Sequence, residues 1–210
     1  MSNNHKENII MKKYLFVLLL VSIISCQRAM YIYYGIKNPK IENISSIKHY
    51  LHKKVKTDNY KLLFFKNIEA MTSLSTDKKL SVPDAYFFNK KGEFVTYKKS
   101  PKECNAYVDS FIKDLKQMDN IKGNDSINLY KLQNFLVDEN KKPISFSKNK
   151  RVLIMTFAKY LGKVNDKHTF DWFESINKLK SKNFEIEVYM LDSDFMDFWD
   201  IKKEDLPKIK

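Results

Sequence analysis

Residues 82–97 read Val82-Pro83-Asp84-Ala85-Tyr86-Phe87-Phe88-Asn89-Lys90-Lys91-Gly92-Glu93-Phe94-Val95-Thr96-Tyr97. The apolar run Ala85 to Phe88 meets a polar turn, Asn89-Lys90-Lys91-Gly92, and then a return run, Glu93 to Tyr97. Gly92 can take the positive φ that closes such a turn, so the stretch predicts a β-hairpin. Downstream, Ser100-Pro101-Lys102-Glu103 has the form of a capping box with proline at the first helical position. Cys104, Tyr107, Val108, Phe111, Ile112, Leu115 and Met118 then make one apolar stripe, which predicts a helix from Lys102 to Met118. Upstream, Lys61 to Phe65 predicts a buried strand and Ile68 to Leu74 a short helix. Ile44, Ile47, Leu51 and Val55 recur at helical spacing and predict another.

The second half alternates in the same way. Residues 119–126 are polar, contain Gly123 and predict a linker. Ile127 to Val137 predicts a helix, 138–150 a loop, Val152 to Phe157 a buried strand, Phe170 to Leu179 a helix and Phe184 to Leu191 a strand, with a further helix after it. Strands alternating with helices predict an α/β fold, a three-layer mixed sheet with helices on both faces. The expected organisation is one domain over 43–210, with a hairpin half at 43–118 and a β-α-β half at 151–200. No internal repeat or low-complexity tract interrupts it.

Residues 1–42 are of another kind. Lys12 and Lys13 form a positive segment, and Tyr14 to Ile24 form an apolar run too short to span a bilayer as a helix. The order is that of a signal peptide over 1–25. Ile23-Ile24-Ser25-Cys26 resembles the bacterial lipobox: branched apolar residues, a small residue, then cysteine. That resemblance implies acylation of the Cys26 thiol, cleavage after Ser25 and a membrane anchored by more than one acyl chain. Gln27 rather than Asp implies the outer membrane, and the absence of an acidic run after Cys26 implies a periplasm-facing site. Met11 followed by two lysines is the more natural start, which would make 1–10 an extension. Residues 26–42 are expected to be a tether. Tyr31, Tyr33 and Tyr34 suit the membrane interface there, or pack on the domain.

The formal net charge is +13, and 43% of residues are hydrophobic, enough for a packed core. Lys6, Lys12 and Lys13 against Glu7 leave residues 1–25 at +2 and the remainder at +11. Such a charge attracts nucleic acid or anionic lipid. The basic residues are nevertheless dispersed lysines, Arg28 and Arg151 excepted, without the clustered arginine, glycine and aromatics of a nucleic-acid interface. No nucleic-acid partner is expected. With Cys26 acylated, Cys104 is the other cysteine, which excludes an intrachain disulfide, a CxxC pair and a cysteine-based zinc site.

Two stretches resemble the thioredoxin superfamily. Val82 to Val95 is similar to that family's hairpin, in which a cis-proline precedes the first strand; Pro83 fits the proline, and Lys102 to Met118 the helix that follows. Phe157-Ala158-Lys159-Tyr160-Leu161-Gly162-Lys163-Val164 is similar to its redox motif, with Leu161 and Val164 in place of both cysteines. Leu and Val supply neither the thiolate nor the resolving thiol that exchange requires. The two stretches also come in the reverse of the family's order. A circular permutation, two incomplete units and a generic α/β pattern all accommodate this. The resemblance implies a redox-inactive scaffold whose binding groove lies between Pro83 and Tyr160, Leu161, Gly162 and Lys163, where an envelope protein or peptide would dock. The chain also resembles lipoproteins of Flavobacterium and other Bacteroidetes, which implies no activity.

Other candidates are weaker. Asp192-Ser193-Asp194 after a strand is similar to the acidic metal motif of haloacid dehalogenase-like phosphatases and of glycosyltransferases; the plainer expectation is a solvated turn in which Asp194 caps a helix. His49 and His52 are expected at the surface, His168 in a turn, and Trp172 and Trp199 in the core. No GxSxG, Walker or GxGxxG motif occurs, and no metal or cofactor is expected. The expected function is a lipid-anchored envelope binding protein without a catalytic set. The alternatives are a thiol-dependent enzyme using Cys104, at a helix start near Lys98, Lys99 and Lys102, and an immunity or inhibitor lipoprotein.

Overall fold

The computed structural model describes residues 28–76, 80–98, 105–181 and 183–208. In chain order the strands are β1 (Ile41–Glu42), β2 (Lys61–Phe65), β3 (Asp84–Phe88), β4 (Glu93–Val95), β5 (Asn124–Asn128), β6 (Leu136–Asp138), β7 (Val152–Phe157), β8 (Glu187–Asp192) and β9 (Phe195–Met196). The helices are α1 (Ile44–Lys54), α2 (Ile68–Thr76), α3 (Val108–Lys113), α4 (Leu129–Leu132), α5 (Lys163–Asn165) and α6 (Asp171–Lys180), with a π-turn at Asp166–Phe170 leading into α6.

All six residues of β7 are buried. An unbroken apolar strand of this kind needs cover on both faces, and β7 has it at the middle of a seven-stranded sheet, ordered β5-β4-β3-β7-β8-β2-β6. β7, β8 and β2 run parallel, while β3, β4, β5 and β6 each run antiparallel to the strand inside them. The fold is therefore α/β with a mixed sheet. β1 and β9 form a separate parallel pair.

The hairpin forms as its sequence predicts. Gly92 takes φ +78, and the Asn89 side chain accepts from the backbone N–H groups of Lys91 and Glu93. The Val82–Pro83 peptide is cis. β2, β7 and α1 match their expected runs closely. Residues 105–137 do not. The expected helix to Met118 is divided, over its described part, into a 3-10 turn at Asn105–Tyr107, α3 and a second 3-10 turn at Leu115–Asn120 that runs into the expected linker. The linker also holds most of the edge strand β5, and the expected helix over 127–137 is divided into the end of β5, the short α4, a further 3-10 turn and β6. Asn128 accepts from the N–H groups of Tyr130 and Lys131, so it caps the start of α4, which ends at Leu132 rather than running on to Val137. β8 begins at Glu187 rather than Phe184, and β9 rather than a helix follows it.

Three helices gather on one face of the sheet. Phe157, at the end of β7, lies against Tyr50 of α1 and Phe170 at the entry to α6, with ring centroids 6.3 Å away in each case. Tyr50 and Phe170 stand 5.8 Å apart and close the triangle. Leu153, Met155 and Phe157 alternate onto the same face as Phe87, and Phe111 of α3 packs on Phe87 at 4.8 Å. Ser175 of α6 donates to Asp109 of α3 at 3.0 Å, so these two helices are joined side by side. Phe157 is where α1 and the entry to α6 meet the sheet. Phe157→Ala should lower unfolding stability by about 3–5 kcal/mol, read as a lower denaturant midpoint at an unchanged slope.

Candidate functional site

β3 and β7 pair so that Asp84 faces Thr156, which brings Pro83 beside the end of β7 and the loop that follows it. The expected groove residues therefore lie around one end of the sheet. Pro83 stands at the head of β3, Tyr160 and Leu161 in a 3-10 turn (Lys159–Leu161), and Gly162 and Lys163 at the start of α5. Tyr160, Leu161, Gly162 and Val164 are half-buried, and Lys163 is exposed.

A polar network braces the Pro83 side. Thr156 accepts from the Asp84 N–H at 2.8 Å and donates to the Ser81 carbonyl at 2.7 Å. The buried Asp84 carboxylate accepts from Ser81 Oγ at 2.7 Å, Lys98 Nζ at 3.1 Å and the Tyr97 hydroxyl. Asn105 Nδ2 donates to the Pro83 carbonyl at 2.8 Å. Cys104, the preceding residue, and the capping box at 100–103 lie outside the described residues, as does Cys26. His168 sits in the π-turn with its ring 5.3 Å from Trp172, and burial lowers its pKa below the usual histidine value.

The loop after β7 is held from several directions. The Asp194 carboxylate accepts from the backbone N–H groups of Lys159 and Tyr160. Lys159 Nζ reaches Glu42 of β1 at 2.7 Å and Ser46 of α1 at 2.6 Å. Asn165 donates to the Ala158 carbonyl at 2.8 Å and to the Tyr50 hydroxyl at 3.1 Å. Burial pushes the Tyr50 hydroxyl up to about 12 and raises that of Tyr160.

The remaining contact comes from the expected tether. Residues 28–34 are helical, and Lys37 N–H donates to the Tyr160 carbonyl at 2.9 Å. Gly162 takes φ +56, and a Cβ placed there would stand 2.5 Å from the Tyr34 carbonyl oxygen and 2.6 Å from that of Gly35. The groove residues that the resemblance singled out are thus covered on one side by the chain's own residues 34–37.

Asp192 and Asp194 are each 1% exposed, so the expected solvated turn is instead buried, and Asp194 caps the loop after β7 rather than a following helix. Neither carboxyl oxygen of Asp192 has a well-formed hydrogen bond among the described residues, and the Asp194 backbone N–H is the donor that comes near them. Its neighbour is another carboxyl. Burial, and then the charge of Asp194, hold the Asp192 pKa well above the usual carboxylate range; burial raises Asp194 as well. One proton held between them lets Asp192 donate to Asp194, while Asp194 accepts from the backbone. Among the described residues no group of three His, Cys, Asp or Glu side chains could hold a metal ion. Asp194 ties the loop after β7 to the end of β8.

The sequence reading missed a second feature. An open cleft of about 1190 Å³ lies between α1, the start of β2 and residues 138–145, with His49, His52, Tyr60 and Lys61 on its walls. Lys48 and Glu139 bridge it at 2.8 Å. Its two walls are 90 residues apart in the chain, and neither carries a motif.

Compared with family models, curated proteins and solved structures, the chain matches none.

The buried pair makes stability depend on pH. Unfolded, an aspartate ionises near about 3.9. Folded, Asp192 keeps its proton above that value, so the native state binds more protons and stability falls as pH rises from about 4 towards the raised native value. Asp192→Asn keeps a donor to Asp194 and removes this dependence. Its melting temperature should exceed that of the wild type by about 2–4 °C at pH 7, with the difference vanishing below about pH 4. An equal difference at both pH values would mean that Asp192 holds no proton.

Proposed function

We propose that the chain is a lipid-anchored envelope protein whose domain is a redox-inactive, thioredoxin-like binding scaffold. The observation that carries the scaffold reading is the strand order β8-β7-β3-β4, with β7 and β8 parallel and β3 and β4 a hairpin. That neighbourhood is the one the two resembling stretches require. It arises here with the hairpin first in the chain and the β-α-β unit second, as in a permutation. It brings Pro83 to the loop in which Leu161 and Val164 stand at the cysteine positions. A loop built for thiol exchange must also present its first thiol to a partner disulfide. This loop is tied to Asp194, Glu42, Ser46 and Lys37 and offers no nucleophile.

The binding surface is the half-buried turn Tyr160–Lys163 with Pro83 behind it. Its backbone already accepts a hydrogen bond from another segment, the chain's own Lys37. An envelope peptide or protein segment docking there replaces residues 34–37. Capture from envelope fractions tests this. Tyr160→Ala should weaken recovery of the bound partner by about tenfold. Lys37→Pro, which removes the N–H that the Tyr160 carbonyl accepts without touching the turn, should loosen the resident segment and raise recovery. Wild-type recovery of every partner by both variants would place binding elsewhere.

The anchor reading rests on Lys12 to Cys26. Acyl chains contribute about 0.8 kcal/mol per buried CH₂ and are indifferent to salt. Attraction of a basic domain to anionic lipid is screened over about 3 Å at 1 M salt. Wild-type protein should therefore stay on membranes through a high-salt wash. Cys26→Ala should accumulate as uncleaved precursor or appear as soluble protein. Salt release of the wild type, or unchanged maturation and attachment of Cys26→Ala, would remove the lipoprotein reading.

A further inference from the structure

The helix at residues 28–34 has two unlike sides. Tyr31 and Tyr34 are half-buried towards the domain. Met30, Ile32 and Tyr33 are 54%, 76% and 60% exposed, and with Tyr107 they are the exposed large hydrophobic side chains of the described residues. A loose tether would explain such exposure, but this segment is fixed. Ile36 N–H donates to the Tyr31 carbonyl and Lys37 N–H to the Tyr160 carbonyl, both at 2.9 Å. Lys167 Nζ stands 5.2 Å from the Tyr33 ring centre and 5.3 Å from that of Tyr34, and Lys163 Nζ stands 5.8 Å from Tyr33.

The patch therefore has a chemistry around it. Lys163 and Lys167 flank it from the domain, and Arg28 and Lys37 are exposed at either end of the segment. Asp166, between the two domain lysines, is engaged by Lys54 at 2.8 Å. Apolar side chains and a tyrosine ring bordered by cations match the boundary of an anionic bilayer. The rings and aliphatic groups sit below the phosphates, and the lysines sit among them. Ile32 lies six positions beyond Cys26, at most about 22 Å of chain. A lipid on Cys26 thus holds this helix at the headgroup layer.

We propose that Met30, Ile32 and Tyr33, with Lys163 and Lys167, form a membrane-contact face, and that the domain lies on an anionic bilayer with residues 159–167 turned towards it. The inference rests on the reading that residues 14–26 attach the chain to a membrane, and its test separates the two. The full-length chain carrying Cys104→Ser and Ile32→Cys is labelled at position 32 with a fluorophore. A second version carries Lys148→Cys instead, ahead of β7 and so at the opposite end of the sheet. Both are reconstituted into vesicles of phosphatidylethanolamine and phosphatidylglycerol, with and without lipid bearing a nitroxide near the headgroup. A face seated about 5–10 Å into the boundary layer should be quenched at least about twofold at position 32 and not at position 148. If the protein floats with the vesicles in 1 M salt while both positions fluoresce equally with and without quencher, the contact face is wrong and the attachment stands. If the protein does not float with vesicles in that salt, both fall together.

Discussion

The Asp194 carboxylate, buried beneath the turn after β7, is the constraint on which the functional end of the molecule depends. Two backbone N–H groups at that turn have no partner in the sheet or in a helix, and leaving them unmet in a buried place would be costly. Asp194 meets both. Doing so fixes where β8 ends: Ser193 N–H returns to the Phe157 carbonyl at 2.9 Å, and the chain turns into β9. β9 then pairs with β1, which carries Glu42, and Glu42 holds the Lys159 side chain from the far side. One buried carboxylate thus joins the last strand of the domain, the first ordered strand and the turn between them. The cost is a second buried carboxyl at Asp192, whose pKa burial and the charge of Asp194 hold well above the usual carboxylate range.

Most of the sheet was legible in the sequence because its central strands declare themselves. Val152 to Phe157 and Lys61 to Phe65 are continuous apolar runs, which is what strands covered on both faces require. The hairpin was legible because Asn89 and Gly92 act locally. Residues 119–137 were not, because edge strands such as β5 and β6 are defined by distant partners, β4 and β2. Leu129, Leu132 and Leu136 recur at helical intervals, yet only the first two share a helix, α4, while Leu136 opens β6, and tertiary pairing overrides the period.

The candidate site was legible in outline only. Pro83 and the stretch 157–164 could be named from their resemblance, and β3 and β7 place them side by side. What the sequence could not convey is that the site is already covered. Neither the 34–37 segment nor the Asp192–Asp194 pair has a local signal of its role. A tyrosine-rich tether reads the same whether it hangs free or packs. An Asp-x-Asp reads the same whether it faces water, a metal or a buried backbone. In each case the deciding fact is which distant groups arrive, and that is settled by burial.

A binding surface that holds its own chain behaves differently from an empty one. If the resident segment is favoured by about 1.4 kcal/mol, a partner that needs the same carbonyl binds about tenfold more weakly than its contacts alone would allow. Any influence on residues 28–37 then becomes an influence on partner binding. Lys163 and Lys167 belong to both sides of that balance: they stack on Tyr33 and Tyr34 in the covered state, and they are also the cations closest to any headgroup the segment meets. Drawing Tyr33 into lipid with those lysines still stacked would strengthen the cover. Drawing the lysines to phosphates and releasing the rings would weaken it. The sign depends on whether the segment and the loop move to the membrane as one body. The Lys37–Tyr160 hydrogen bond and the close packing at Gly162 favour that joint movement, so on the proposed reading membrane contact would keep the surface closed until a partner supplied a better strand.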